Sequence, residues 1–138
     1  MNRNDPFQPD PRLAADSAFI ADGPLSQVRL MDDARFPWLL LVPRVAGASE
    51  WIDLDGGQQR LLLAEINQLS QLLRAEPGVE KINLGALGNI VRQLHVHVVG
   101  RRAGDAAWPG PVWGSGSPVR HAPEALDAAA KRWRGRLA

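Results

Sequence analysis

The 138-residue sequence predicts an α+β domain: an antiparallel sheet of about five strands, a main helix on one face and a further helix at the C-terminus. Three observations carry that expectation. Short apolar stretches with strand character flank one long run of helical period. The links between the early strands are short, which suits antiparallel pairing, because parallel strands need a crossover of a dozen or more residues. An Ala-rich segment that begins with proline closes the chain.

Each element has its own signal. Residues 1–11 carry Pro6, Pro9 and Pro11 and read as a loose arm, since every proline removes a backbone donor. Residues 12–15 suit a short helical turn and residues 19–21 a brief strand, with Asp22-Gly23-Pro24 as a turn. Residues 25–31 alternate imperfectly, with Leu25, Val28 and Leu30 set against Ser26, Gln27 and Arg29, as in a half-buried strand. Trp38-Leu39-Leu40-Leu41-Val42 is continuously apolar, which fits a strand covered on both faces, and Pro43 ends it. The period then changes. Leu54, Leu61, Leu62, Ile66, Leu69, Leu72 and Leu73 recur at three- and four-residue spacing, so residues 55–75 hold an amphipathic helix that Pro77-Gly78 stops. Residues 79–87 and 93–101 return to strand character around a Gly88-Asn89 turn. A loop over 104–116 leads to a closing helix over 123–134, with Pro123 at its first position.

Composition narrows the functions. The length fits one domain, residues 1–138, of which 102–138 form the C-terminal loop and helix. With no cysteine, a disulfide framework, a zinc-thiolate site and a cysteine nucleophile are excluded. A net charge of +1 is too weak a bias for a nucleic-acid partner. The basic cluster Lys131, Arg132, Arg134 and Arg136 suits the negative end of a helix. No stretch reaches the ~20 apolar residues of a membrane span, and the first residues lack a signal-peptide core. The expectation is a cytoplasmic protein with no membrane partner.

The chemistry concentrates in "RQLHVHVVGR", residues 92–101, which holds two of the three histidines. Side chains alternate along a strand, so Leu94, Val96 and Val98 face the helix while Gln93, His95, His97 and Val99 face away. Burying both imidazoles unpaired costs roughly 1–3 kcal/mol each, so that face is expected to be wet or functional. Three readings remain open on the residues alone: a solvated sheet face, a metal pair, and neutral imidazoles doing nucleophilic and acid–base chemistry. The metal reading lacks further ligands, for Gln93 is a poor one and His121 lies beyond a long Gly/Pro loop. The preceding turn favours the third. Gly88 allows close backbone approach and Asn89 brings an amide able to donate to a phosphate oxygen.

At these residues the chain resembles the histidine triad (HIT) family of nucleotide hydrolases and transferases. "GNIVRQLHVHVVGR" follows that family's signature without a gap: Gly88, Asn89 and Val91 take the glycine, amide and valine positions, and His95 and His97 the second and third histidines. "LMDDARFPWLLLVPR" resembles the family's ribose-binding strand, its connector and its Pro-Lys/Arg strand end. "DAAWPGPVWG" resembles a bacterial hydrolase-like branch with Gln-x-His-x-His. Two positions depart. Gln93 stands where the first histidine belongs, and Ile90 replaces a hydroxyl aimed at phosphate.

The resemblance implies roles. His95 would attack the α-phosphorus of a nucleoside phosphoramidate, adenylate or dinucleoside polyphosphate, and water would then release a monophosphate from the nucleotidyl-histidine. Asn89, His97 and backbone N–H groups would stabilise the transferring phosphate, with His97 also assisting the leaving group, and Gln93 would orient its neighbours. Asp32 would accept from the ribose hydroxyls; Asn83 is a weaker candidate near phosphate. Trp108 and Trp113 would close the pocket or pack on a partner, and Arg101 either binds phosphate or ends its strand in water. No cofactor and no metal are implied, and a homodimer through "VEKINLGALG" is. The alternative is a nucleotide-binding or interaction module with little turnover, which Gln93 and Ile90 favour.

Overall fold

The computed structural model describes residues 7–138, so most of the expected arm, residues 1–6, lies outside the described residues. Structure begins earlier than the prolines suggested. Helix α1 (Pro11–Asp16) starts on Pro11, where the missing N–H is harmless, and the Asp10 side chain caps it by accepting from the Arg12 N–H at 2.8 Å. It hands over directly to β1 (Ser17–Asp22). After the Gly23 turn come β2 (Ser26–Met31) and β3 (Trp38–Pro43).

Helix α2 (Gly56–Arg74) fills the interval that the leucine spacing marks. Asp55 and Gln58 form a capping box at its start, and Ala75 closes it. Strand β4 (Lys81–Gly85) and strand β5 (Val96–Arg101) are each shorter than their sequence signal, and α3 (Pro123–Leu137) is longer. The five strands form one antiparallel sheet in the order β1-β2-β3-β5-β4. The predicted fold class is the one found.

The sheet has two covered faces. Leu39, Leu41, Val96 and Val98 point to one side, where they pack with Leu62, Leu69 and Leu73 of α2 and with Ala130 and Trp133 of α3. Arginines of α3 tie that layer down. Arg132 and Arg136 pair with Glu76 at 3.1 and 2.9 Å, and Arg136 also donates to the Leu72 carbonyl at 2.8 Å. The cluster therefore complements the C-terminal end of α2 as well as its own helix. On the other face Leu40, Val42 and Val99 pack with Leu13 of α1, Phe36 and Val112. Of the three readings of the histidine face, the solvated one fails here. Segments from both ends of the chain cover it, and Gly/Pro-rich segments of that kind carry no hydrophobic period that would announce them.

Candidate active site

β4 stops at Gly85, and residues 86–95 run as an irregular connection in which Gly88 takes φ +68°. That conformation suits glycine, and it turns the chain back toward β5. The Leu94 N–H donates to the Ala48 carbonyl at 3.0 Å, and only from Val96 does the ladder with β3 begin. His95 therefore precedes the strand, whereas His97 lies inside it opposite Leu40 and Gly85. Freed from the pleat, the His95 ring closes on its neighbour: the two centroids are 4.9 Å apart in an edge-to-face arrangement.

Both imidazoles are 6% exposed, and both are paired. His95 Nδ1 lies 2.7 Å from the Gln93 carbonyl oxygen. That oxygen only accepts, so Nδ1 carries a proton, and in the neutral ring Nε2 holds the lone pair. His97 Nδ1 lies 3.0 Å from Trp38 Nε1, which only donates. There Nδ1 holds the lone pair and Nε2 the proton. Burial, and secondarily the neighbouring His95, pushes the pKa of His97 down to about 3. In their neutral forms the two rings thus present opposite ends, one an acceptor and the other a donor.

His97 opens into a cleft of about 400 Å³ whose lining includes Asp32, Arg35, Trp38, Ile90, Trp113 and Arg120. Trp113 stands edge-to-face with His97 at 5.5 Å, over Gly85, where a Cβ would come within 2.9 Å of its ring carbons. Asp32 is nearly buried. Its Oδ1 accepts from the His121 N–H at 2.8 Å and from His121 Nδ1 at 2.9 Å, and Oδ2 from Arg120 at 3.3 Å. Burial alone raises the pKa of Asp32, but the bonds from His121 and Arg120 outweigh it, so the group sits below the ordinary carboxylate range. His121, set aside in the sequence for its distance, is the nearest partner of Asp32. No local pattern could have placed it there.

The remaining candidates spread out. Gly88 and His95 share a small crevice with Ser49 and Glu50, and Asn89 lines the adjoining one with Arg92. Asn89 is exposed. The Gln93 side chain turns from the histidines to the N-terminal segment: its Oε1 accepts from the Asp10 N–H at 2.6 Å and its Nε2 donates to the Gln8 carbonyl at 3.2 Å. What Gln93 offers His95 is its backbone carbonyl. Asn83 accepts from Arg101 at 2.9 Å and does not line the cleft. Arg101 does not end its strand in water. It is 2% exposed, clamped by Asp105 at 2.8 Å and packed between Phe36 and Trp108. That clamp holds the pKa of Asp105 down to about 2 and fixes the start of the loop that delivers Trp113.

Among the described residues no group of three His, Cys, Asp or Glu side chains is placed to hold a metal ion, and no helix is long and apolar enough to cross a membrane.

Comparison with known proteins places this arrangement. The HIT domain family model matches residues 12–104. A histidine triad protein of Bradyrhizobium japonicum is 46% identical over 93% of this chain and 97% of its own, with a TM-score of 0.85. One from Sinorhizobium meliloti is 48% identical over 90% and 92%, at 0.86. One from Marinobacter aquaeolei is 43% identical over 96% and 98%, at 0.87. No curated protein matches the chain. The chain belongs to the HIT domain family, a family of nucleotide-binding hydrolases and transferases.

Proposed function

We propose that the protein is a nucleotide hydrolase or transferase acting at the α-phosphate of a nucleoside phosphoramidate, adenylate or dinucleoside polyphosphate, with His95 as the nucleophile. One observation carries this reading. The Gln93 carbonyl accepts a hydrogen bond from His95 Nδ1–H, which in the neutral ring orients the Nε2 lone pair for attack beside a ring that offers the complementary N–H. Attack by Nε2 forms the nitrogen–phosphorus bond, and water later breaks it to release a nucleoside monophosphate. His97 Nε2–H, Asn89 and backbone N–H groups of residues 88–91 stabilise charge on the transferring phosphate. Asp32 serves the ribose hydroxyls. Its carboxylate already takes three internal hydrogen bonds, so ribose competes with Arg120 for the outer oxygen. Asn83 acts at one remove, through Arg101, on the loop that carries Trp113.

A binding module with little turnover is the second reading. Two features favour it: the Gln93 amide is committed to the N-terminal segment, and Ile90 stands 77% exposed where a hydroxyl would aid phosphate. Single-turnover rates and binding constants for the parent and His95→Asn separate the two. On the first reading the parent releases monophosphate, and the variant binds as before but turns over several orders of magnitude more slowly. A parent that binds nucleotides without releasing monophosphate supports the second.

We also infer a homodimer. β4 is an edge strand whose Leu84 is 52% exposed, and α2 beside it exposes Leu61 and Leu63 at 42% and 53%. A bare edge next to apolar surface invites pairing, and a second copy through β4 and α2 would cover both. A monomer by light scattering at micromolar concentration contradicts this. The protein is expected to act in the cytoplasm, on small nucleotides, without a resident metal; retention of activity in chelator checks the last point.

A further inference from the structure

The residue that settles what His97 can do is Trp38, a position outside the histidine motif. Its Nε1–H points at His97 Nδ1 at 3.0 Å in a buried contact between residues 59 apart in sequence. An imidazolium needs a proton on both nitrogens, and an indole N–H can only donate. Protonated His97 would therefore set two donors against each other with no room to part. His97 is packed between Trp38 at 5.6 Å and Trp113 at 5.5 Å, with His95 at 4.9 Å. Among the described residues, the titratable side chain packed against the ring is His95, whose charge would oppose a second one.

We propose that Trp38 locks His97 as a neutral Nε2–H donor, and that the site consequently takes substrates whose leaving group departs as an anion without being protonated: phosphoric anhydrides rather than phosphoramidates of alkylamines. This rests on the nucleotide hydrolase reading. Burial supports the lock: together with the smaller effect of His95 it depresses the pKa of His97 to about 3. Among the described residues that line the cleft, none replaces the missing acid. Asp32 and Asp33 are held below the usual carboxylate range, and they and Asp16 pair with Arg35 and Arg120. His121 gives its Nδ1–H to Asp32.

The bond changes follow. His95 Nε2 contributes the electron pair that forms the N–P bond. The P–O bond to the leaving group breaks, and its oxygen keeps that pair and departs as phosphate or carboxylate. Water then forms the new P–O bond, the N–P pair returns to Nε2, and the surplus proton leaves with solvent. An amine leaving group would have to depart as an amide anion or find a proton that the site does not hold. General acid help is worth on the order of 10²–10⁴ in rate, and its absence sets the size of the penalty.

The test has two independent arms. Long-range ¹⁵N–¹H correlation on the full-length protein reads the His97 ring. The expected spectrum is the neutral Nε2–H form throughout pH 5–8 in the parent, with mixed tautomers or a titration appearing in Trp38→Phe, which keeps the ring but removes the donor. A parent His97 that titrates in that range, or a Trp38→Phe spectrum identical to the parent, overturns the lock whatever the protein hydrolyses. The second arm compares kcat/KM for diadenosine tetraphosphate and for an adenosine 5′-N-alkylphosphoramidate. The expected preference is on the order of 10²-fold or more for the anhydride, narrowing in Trp38→Phe. Equal rates, or faster cleavage of the phosphoramidate, overturn the substrate class. Failure of both substrates overturns the hydrolase reading and the substrate class together, while the spectrum still decides the lock.

Discussion

The two faces of β5 solve different problems with alternate residues of one strand. Val96 and Val98 meet α2 leucines in an ordinary apolar layer. His97, Val99 and Arg101 meet a layer made of an N-terminal helix, a connector and a C-terminal loop, in which His97 is bonded to Trp38 and Arg101 to Asp105. The first face is stabilised by area removed from water, and many similar side chains would serve. The second depends on specific donors and acceptors, where loss of one partner strands the other. Substitutions on the two faces should therefore fail in different currencies, stability on one and chemistry on the other.

The largest expected effect is on the second face. His95→Asn should abolish most turnover, by several orders of magnitude, with little change in thermal stability. His97→Asn comes next. Loss of one preorganised donor costs on the order of 10²–10³ in rate, and the same variant should alter the acid behaviour of the fold. With its folded pKa near 3, against 6.5 unfolded, His97 binds fewer protons folded than unfolded between those values. Its stabilising share is complete above about pH 6.5 and declines as pH falls toward 3, by up to about 1.4 kcal/mol per pH unit. Denaturant melts at pH 7 and pH 5 should show a smaller difference in His97→Asn than in the parent; an unchanged difference would mean that the buried ring is not what sets it.

Leu69→Ala tests the helix face. Leu69 is 1% exposed, and truncation there should cost about 2–5 kcal/mol while kcat stays within a few-fold of the parent. A variant that keeps stability but loses rate would erase the distinction between the faces. The smallest effect belongs to Gln93→Ala. It removes two hydrogen bonds to the N-terminal segment, worth roughly 1–2 kcal/mol together, and leaves the carbonyl that orients His95 in place. Rate should hardly change, and proteolysis near residues 8–10 should quicken.

This asymmetry also explains what could be read in advance. α2 was legible to its caps, because leucine spacing, Asp55 and Pro77-Gly78 are local signals, and the helix occupies the expected interval within a residue at each end. The histidine pair was legible as a candidate because its motif is contiguous, and Asp32 because its own segment resembles the family's ribose-binding strand. Their surroundings were not. Trp38 reaches His97 across 59 residues and His121 reaches Asp32 across 89, and no periodicity encodes a pairing over that distance. The expected strand ends extend beyond those found for a related reason: residues 79–80, 86–87 and 93–95 are apolar enough for a strand, but Gly85, Gly88 and the bond from Leu94 to Ala48 divert the chain first. The side chain of Gln93 was expected to serve the site and instead holds the arm, which only tertiary structure could reveal.

The most direct test of covalent catalysis is the mass of the rapidly quenched protein after mixing with a nucleoside polyphosphate. Nucleotidyl-histidine is labile in acid, so the quench is made in base and the intact mass is read at once, followed by peptide mapping. The expected result is a transient adduct equal to one nucleoside monophosphoryl group, mapped to His95 and missing in His95→Asn. Monophosphate release at the parent rate by His95→Asn, or an adduct on another residue, would contradict His95 as the nucleophile.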